Sequence, residues 1–281
     1  MSELPDQAPA AAAPLTRREL REAASRRRFP RRVYPPGRLT VLTTVAFAGL
    51  VALTGFAGPT LVAVAVALGG FVVAWGWPIL LNLPSPRGTT GVLAAGTVLM
   101  AAAVIVTPND PFLRWVPAAL AVSVVIAFLH QLLRRDGRPR LTESVAATTS
   151  GLAIISSGVA LAPLPHVLNG APTLAAAMAG LGVGALADPL IGARRGRQWA
   201  LFIAMVLGGS AAVGVALVAG HPRTGAAGLL GLMAAGVSHA ARRILAVLPS
   251  AGSSRAQLAL ASSSAMLVGV VAYVLVRRFV A

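Results

Sequence analysis

Seven side chains able to do chemistry cluster at one end of the apolar runs: Asp188, His130, His239, Glu143, Arg194, Arg195 and Arg242. Two imidazoles and two carboxylates are a donor set that could hold a divalent cation, and guanidinium groups grip phosphate bidentately. Ionisable groups at membrane depth usually face the interior of a helix bundle and mark a working site. Asp188 stands out, because no Asp or Glu follows it and it ends an apolar run just ahead of Arg194, Arg195 and Arg197. A plainer reading stands beside this one. Asp188 before Pro189 has the form of an N-cap with proline at the first helical position. It could also neutralise Arg194 or Arg195. His130 and His239 would then be satisfied hydrogen-bonders near the headgroups, and Thr142-Glu143 an ordinary helix start.

Much chemistry is excluded at once. The chain has no cysteine, so it forms no disulfide or thiolate site, and all 24 of its basic residues are arginine. Without lysine there is no Schiff-base chemistry. No cofactor is expected, and no residue is assigned a catalytic or metal-binding role.

The elements that position these groups are set by the medium. Hydrophobic residues make up 56% of the 281, charged residues 11%, and the mean hydropathy is +0.77. A soluble domain carries roughly 25% charged residues, so the surroundings must be lipid. A bilayer core takes about 20 apolar residues as helix. Nine runs qualify: 39–57, 60–82, 90–106, 113–133, 144–163, 173–192, 199–219, 224–241 and 257–276. The third and eighth are short. The expected fold is an all-α, polytopic transmembrane bundle over 39–281.

Arginine placement sets the expected orientation. With the N-terminus inside, twenty of the 24 arginines fall on the inner side, leaving Arg114, Arg223, Arg277 and Arg278 outside with the C-terminus. That is what the positive-inside rule requires of a bacterial cytoplasmic membrane protein. Trp75, Trp77, Trp115 and Trp199 lie near span ends, as an interfacial belt would. Residues 1–38 form a separate arginine-rich, partly disordered segment. Its Arg17, Arg18, Arg26, Arg27, Arg28, Arg31 and Arg32 are expected to rest on anionic phospholipid headgroups of the inner leaflet, at about 1 kcal/mol each. The net charge of +16 is therefore assigned to the lipid surface rather than to nucleic acid.

Within the spans, Thr148, Thr149, Ser150, Ser156 and Ser157 form a polar stripe, and Ser262, Ser263 and Ser264 form another. Helix packing is the expected use, with a substrate path as the alternative. Gly180 and Gly184 make a GxxxG packing signal.

The nine-span layout with charged groups on the inner side of the later spans resembles the membrane phosphatidate cytidylyltransferases, which make CDP-diacylglycerol. "ADPLIGARRGR" is similar to that family's Asp followed by a Gly-Arg-rich turn, with Asp188, Arg194, Arg195 and Gly196 in the matching places. "SHAARR", residues 238–243, sits where the family signature begins. That signature continues to Asp-Arg-x-Asp, whereas this chain reads "ILAVLPSAGSSRAQ", without an acid to hold the metals of nucleotidyl transfer. "AWGWPILLNLPSPRGTT" and "FLHQLLRRDGRPRLTES" are similar to segments of uncharacterised multispanning membrane proteins of high-GC actinobacteria. The role expected is non-catalytic: a scaffold, a lipid-interacting protein or a helper of an envelope process. A permease with a cytoplasm-facing polar site is the alternative, and an enzyme on lipid phosphates the third reading.

Overall fold

In lipid, a span must satisfy every backbone N–H and C=O within itself, which leaves helices as the solution for such apolar runs. A computed structural model describes residues 36–135, 137–192 and 196–279, which belong to one compact unit. The arginine-rich segment with Arg17 to Arg32, together with Asp136, Arg194 and Arg195, lies outside the described residues.

The helices are α1 (Arg38–Ala57), α2 (Pro59–Leu80), α3 (Pro86–Ile105), α4 (Val116–Leu133), α5 (Leu141–Val159), α6 (Gly170–Gly184), α7 (Ala200–Ala219), α8 (Thr224–Leu245), α9 (Ser254–Met266) and α10 (Val268–Phe279). They make nine spans long and apolar enough to cross a bilayer, α9 and α10 together forming the ninth, and no strand occurs among the described residues. The protein is a multi-pass helical membrane protein. The third and eighth spans are longer than hydropathy indicates, at 20 and 22 residues. Both continue as helix into polar ends, through Arg87 in one and through Arg242 and Arg243 in the other. The α1–α2 hairpin turns at Gly58, whose φ of 125° a side chain would resist.

Two sub-bundles make up the structure. Helices α2 to α5 pack on one another, as do α6, α7 and α8, while α1 and α9 touch members of both groups. Spans five, six and nine are the most buried (67%, 72% and 67%), against 22% for spans four and seven, so the last span in sequence is central in space.

Glycine closes the second sub-bundle. A methyl group added at Gly180 would lie 2.6 Å from the Cα of Gly231 and 2.9 Å from the carbonyl oxygen of Gly208. One added at Gly184 would lie 2.5 Å from the Cβ of Ala235. Three backbones therefore meet along α6, α7 and α8, the close approach that small residues allow in membranes.

Two sequence expectations are revised. The ninth span is broken at Leu267, and Ser157 of α5 patches the break: its hydroxyl donates to the Leu267 carbonyl (3.1 Å) and accepts from the Val270 N–H (3.3 Å). Trp77 is no belt residue. It is buried and donates from Nε1 to the Ala147 carbonyl at 2.8 Å, tying α2 to α5. Trp75, Trp115 and Trp199 do face outward.

The contacts at the helix ends sort the bundle into two faces. On one, Arg255 lies 4.4 Å over the Trp75 ring, Arg140 donates to the Asn82 carbonyl (2.7 Å), and Ser85 meets His130. On the other, Arg277 pairs with Asp110 at 2.9 Å and Phe112 stacks on His166. Odd-numbered spans begin at the first face and even-numbered spans return to it, so the arginines crowd there.

Candidate functional site

The site grows from two breaks in regular structure. After Gly184 the chain tightens into a 3-10 segment, Ala185–Gly192, containing Pro189. Proline has no N–H to give an α-helical ladder, and 3-10 runs beyond three or four residues are uncommon. Here the run turns Asp188 into the protein, fully buried, while Pro189 faces out. Asp188 is therefore no N-cap: it lies within the 3-10 segment, and both its carboxylate oxygens bond side chains of another span.

Those side chains come from α8. Positions 238, 239 and 242 share one face of a helix, because residues three and four apart stack above one another. Ser238, His239 and Arg242 are fully buried, and Arg243, one residue on, points outward. His239 Nδ1 donates to Asp188 Oδ1 at 2.9 Å. Arg242 donates from Nε to Oδ2 at 2.6 Å and from Nη2 to Oδ1 at 3.2 Å, a bidentate clamp. Its remaining nitrogen, Nη1, donates to Ser238 Oγ and, at 3.2 Å, to Ser264 Oγ of α9. Ser264 in turn donates to the Ala261 carbonyl at 2.8 Å.

Charge balance follows from these bonds. A buried carboxylate and a buried guanidinium cancel, and the carboxylate can only accept, so Nδ1 carries the imidazole proton. His239 Nε2 is buried and without a hydrogen-bond partner among the described residues. An unpaired charge here would be costly, whereas a pair with its hydrogen bonds filled is tolerable. The cluster joins spans six, eight and nine.

The other candidates lie elsewhere. His130 Nε2 sits 3.5 Å from Ser85 Oγ and presses on the backbone of Gly88, so tightly that a side chain there would collide with the ring. Its neighbour Gln131 accepts from buried Arg134 at 2.8 Å. Glu143 pairs with Arg140 at 2.6 Å, both well exposed. The two imidazoles and two carboxylates are thus divided among three places. No group of three His, Asp or Glu side chains suited to a metal ion occurs among the described residues. The polar stripe of span five mostly bonds its own helix: Thr148 to the Ser144 carbonyl, Thr149 to Val145 and Ser150 to Ala147. Ser157 is the member that reaches another span.

Comparison with protein-family models, curated proteins and solved structures found no match. The site must be read from its own geometry. Sequence reasoning placed Ser264 among serines that pack helices but did not name its partner, Arg242 of the eighth span. The spacing Ser238-x-x-x-Arg242 was a signal that could have pointed to a shared face.

Proposed function

We propose that this chain is a non-catalytic component of a bacterial cytoplasmic membrane, a scaffold or lipid-interacting protein, inserted with its N-terminus inside. The observation that carries the reading is that Asp188 is held at both oxygens by buried side chains of one other span. Both its oxygens are occupied by groups of the same chain, and the guanidinium it holds is bonded through Nε and both Nη nitrogens. Such a cluster behaves as a polar clamp between spans six, eight and nine. The resemblance to cytidylyltransferases enters only as a layout, since no carboxylate follows Asp188 to hold metals. The orientation rests on the crowding of arginine at one face.

The test is a thermal-shift screen of purified protein against nucleotides with Mg²⁺, simple ions, metabolites and anionic lipids. It compares wild type with the double variant Asp188→Leu/Arg242→Met, which removes both charges together. Stabilisation by lipid alone, equal in both proteins, is the expected result. A ligand-specific rise in Tm that vanishes in the double variant would replace the clamp with a binding site. For orientation, single cysteines at positions 137 and 196 are expected to be shielded from an impermeant thiol reagent in intact cells. Labelling of either would reverse the topology.

A second reading, a permease, has one observation in its favour: the unpartnered Nε2 of buried His239. A ring nitrogen without a partner, on an imidazole held from its other side by a carboxylate, is free to meet a hydrogen-bonding solute or a proton in transit. Acidification of the lumen of proteoliposomes on a proton gradient, lost in His239→Gln, would establish it.

A further inference from the structure

A polar pocket opens at the face that carries Asp110 and Arg277, where α6 and α8 begin. Asn169, His221 and Arg223 line it together with buried Pro222 and exposed Phe279. We propose that this pocket binds a phosphate group, carried either by a lipid headgroup or by a free solute.

Unbalanced charge selects an anion. Asp110 is the one carboxylate side chain at this face among the described residues, and it is bonded to Arg277 at 2.9 Å. Arg114 rests over the Trp115 ring at 4.9 Å. Arg223 and His221 are exposed and have no hydrogen bond or ion pair with any described residue. Their donors, unlike those of Arg277, are open to a ligand. Two helix ends add to the same field. Asn169 and Arg223 immediately precede the first turns of α6 and α8, and neither turn has a side-chain cap or an acid. A helix N-terminus carries about half a positive charge on its free N–H groups.

The arrangement of donors selects phosphate among anions. A guanidinium fork bonds two oxygens of one phosphate. The imidazole of His221 and the carboxamide of Asn169 offer N–H groups from two other positions on the pocket wall. A planar carboxylate is satisfied by the fork alone, whereas a tetrahedral phosphate presents further oxygens to the other donors. The pocket also lies at helix ends, the depth at which headgroup phosphates stand. This inference goes beyond the scaffold reading and uses neither Asp188 nor the orientation, so either can fail without the other.

The test uses full-length protein in a neutral detergent. Calorimetric titration with inorganic phosphate at constant ionic strength reads the solute arm. Native mass spectrometry with phosphatidylglycerol, against diacylglycerol that lacks the phosphate, reads the lipid arm. Arg223→Gln is expected to weaken binding by about ten-fold, the worth of one charge-assisted hydrogen bond, and His221→Gln by about three-fold. Arg114→Gln removes the same charge from the same face at a separate site and is expected to change binding by less than about two-fold. Arg223-dependent binding of inorganic phosphate supports the proposal and assigns the pocket to a solute. Arg223-dependent binding of phosphatidylglycerol without inorganic phosphate supports it and assigns the pocket to a headgroup. Binding of neither probe, or equal weakening by Arg223→Gln and Arg114→Gln, overturns it. A protein extended after Ala281 by a neutral Gly-Ser tail is measured alongside. Binding seen in the extended protein alone also overturns the proposal, and gives the pocket to the chain's own terminal carboxylate.

Discussion

Two clusters in this bundle have nearly the same sequence form and different structures. Each has a histidine near the end of an apolar span and an arginine on the next turn, His130 with Arg134 and His239 with Arg242. In the second, a carboxylate from another span meets both groups, and all three are fully buried. In the first, His130 meets Ser85 and Gly88 at the start of α3, and Arg134 bonds Gln131 of its own helix. The difference teaches how a tertiary break, here the 3-10 turn at Ala185–Gly192, carries a carboxylate of one span into the buried interior beside an imidazole and a guanidinium of another.

The largest test of this contrast is Asp188→Asn. It leaves a guanidinium in the bundle interior without its counter-charge, a loss of about 3–5 kcal/mol. The variant is expected to lose most folded protein in detergent, measured by the monodisperse fraction on size exclusion. The double variant Asp188→Leu/Arg242→Met is expected to recover most of it, because a buried pair replaced by apolar residues is often near neutral. Failure of the double variant to recover would show that the cluster does more than hold helices together.

Next in size is the glycine seam beside the cluster. Gly180→Ala places a methyl against the backbones of α7 and α8 and is expected to cost about 1–3 kcal/mol. Gly49→Ala, with open space around it, is expected to be neutral or slightly stabilising. Equal thermal stability of the two variants would remove the seam from the account of why α6 presents Asp188 where it does. A smaller effect is expected from Ser157→Ala, which removes both bonds to the break at Leu267, at about 0.6–2 kcal/mol. His239→Ala closes the series. It removes one of the bonds to Asp188 and is expected to cost about 0.5–1.5 kcal/mol; an unchanged melting temperature would take His239 out of the clamp.

The sequence by itself determined the nine spans, the ends at which charge collects and the GxxxG seam at Gly180 and Gly184. Hydropathy is a local property, and in lipid each helix satisfies its own backbone, so composition over about 20 residues suffices. It could not determine which face of each span turns inward. These spans are apolar on nearly every side, so no polar stripe marks an outer surface as it does on a soluble helix. Trp77 therefore read as an interfacial residue and proved to be buried, and Asp188 stayed open between a working group, a helix cap and a partner for nearby arginines. Only the tertiary structure decided that Asp188 meets His239 and Arg242, more than fifty residues on. That meeting depends on helix order, on rotation about each axis and on a short 3-10 turn. All three follow from packing between spans, where hydropathy is uniform and the fit of small residues against backbone makes the choice.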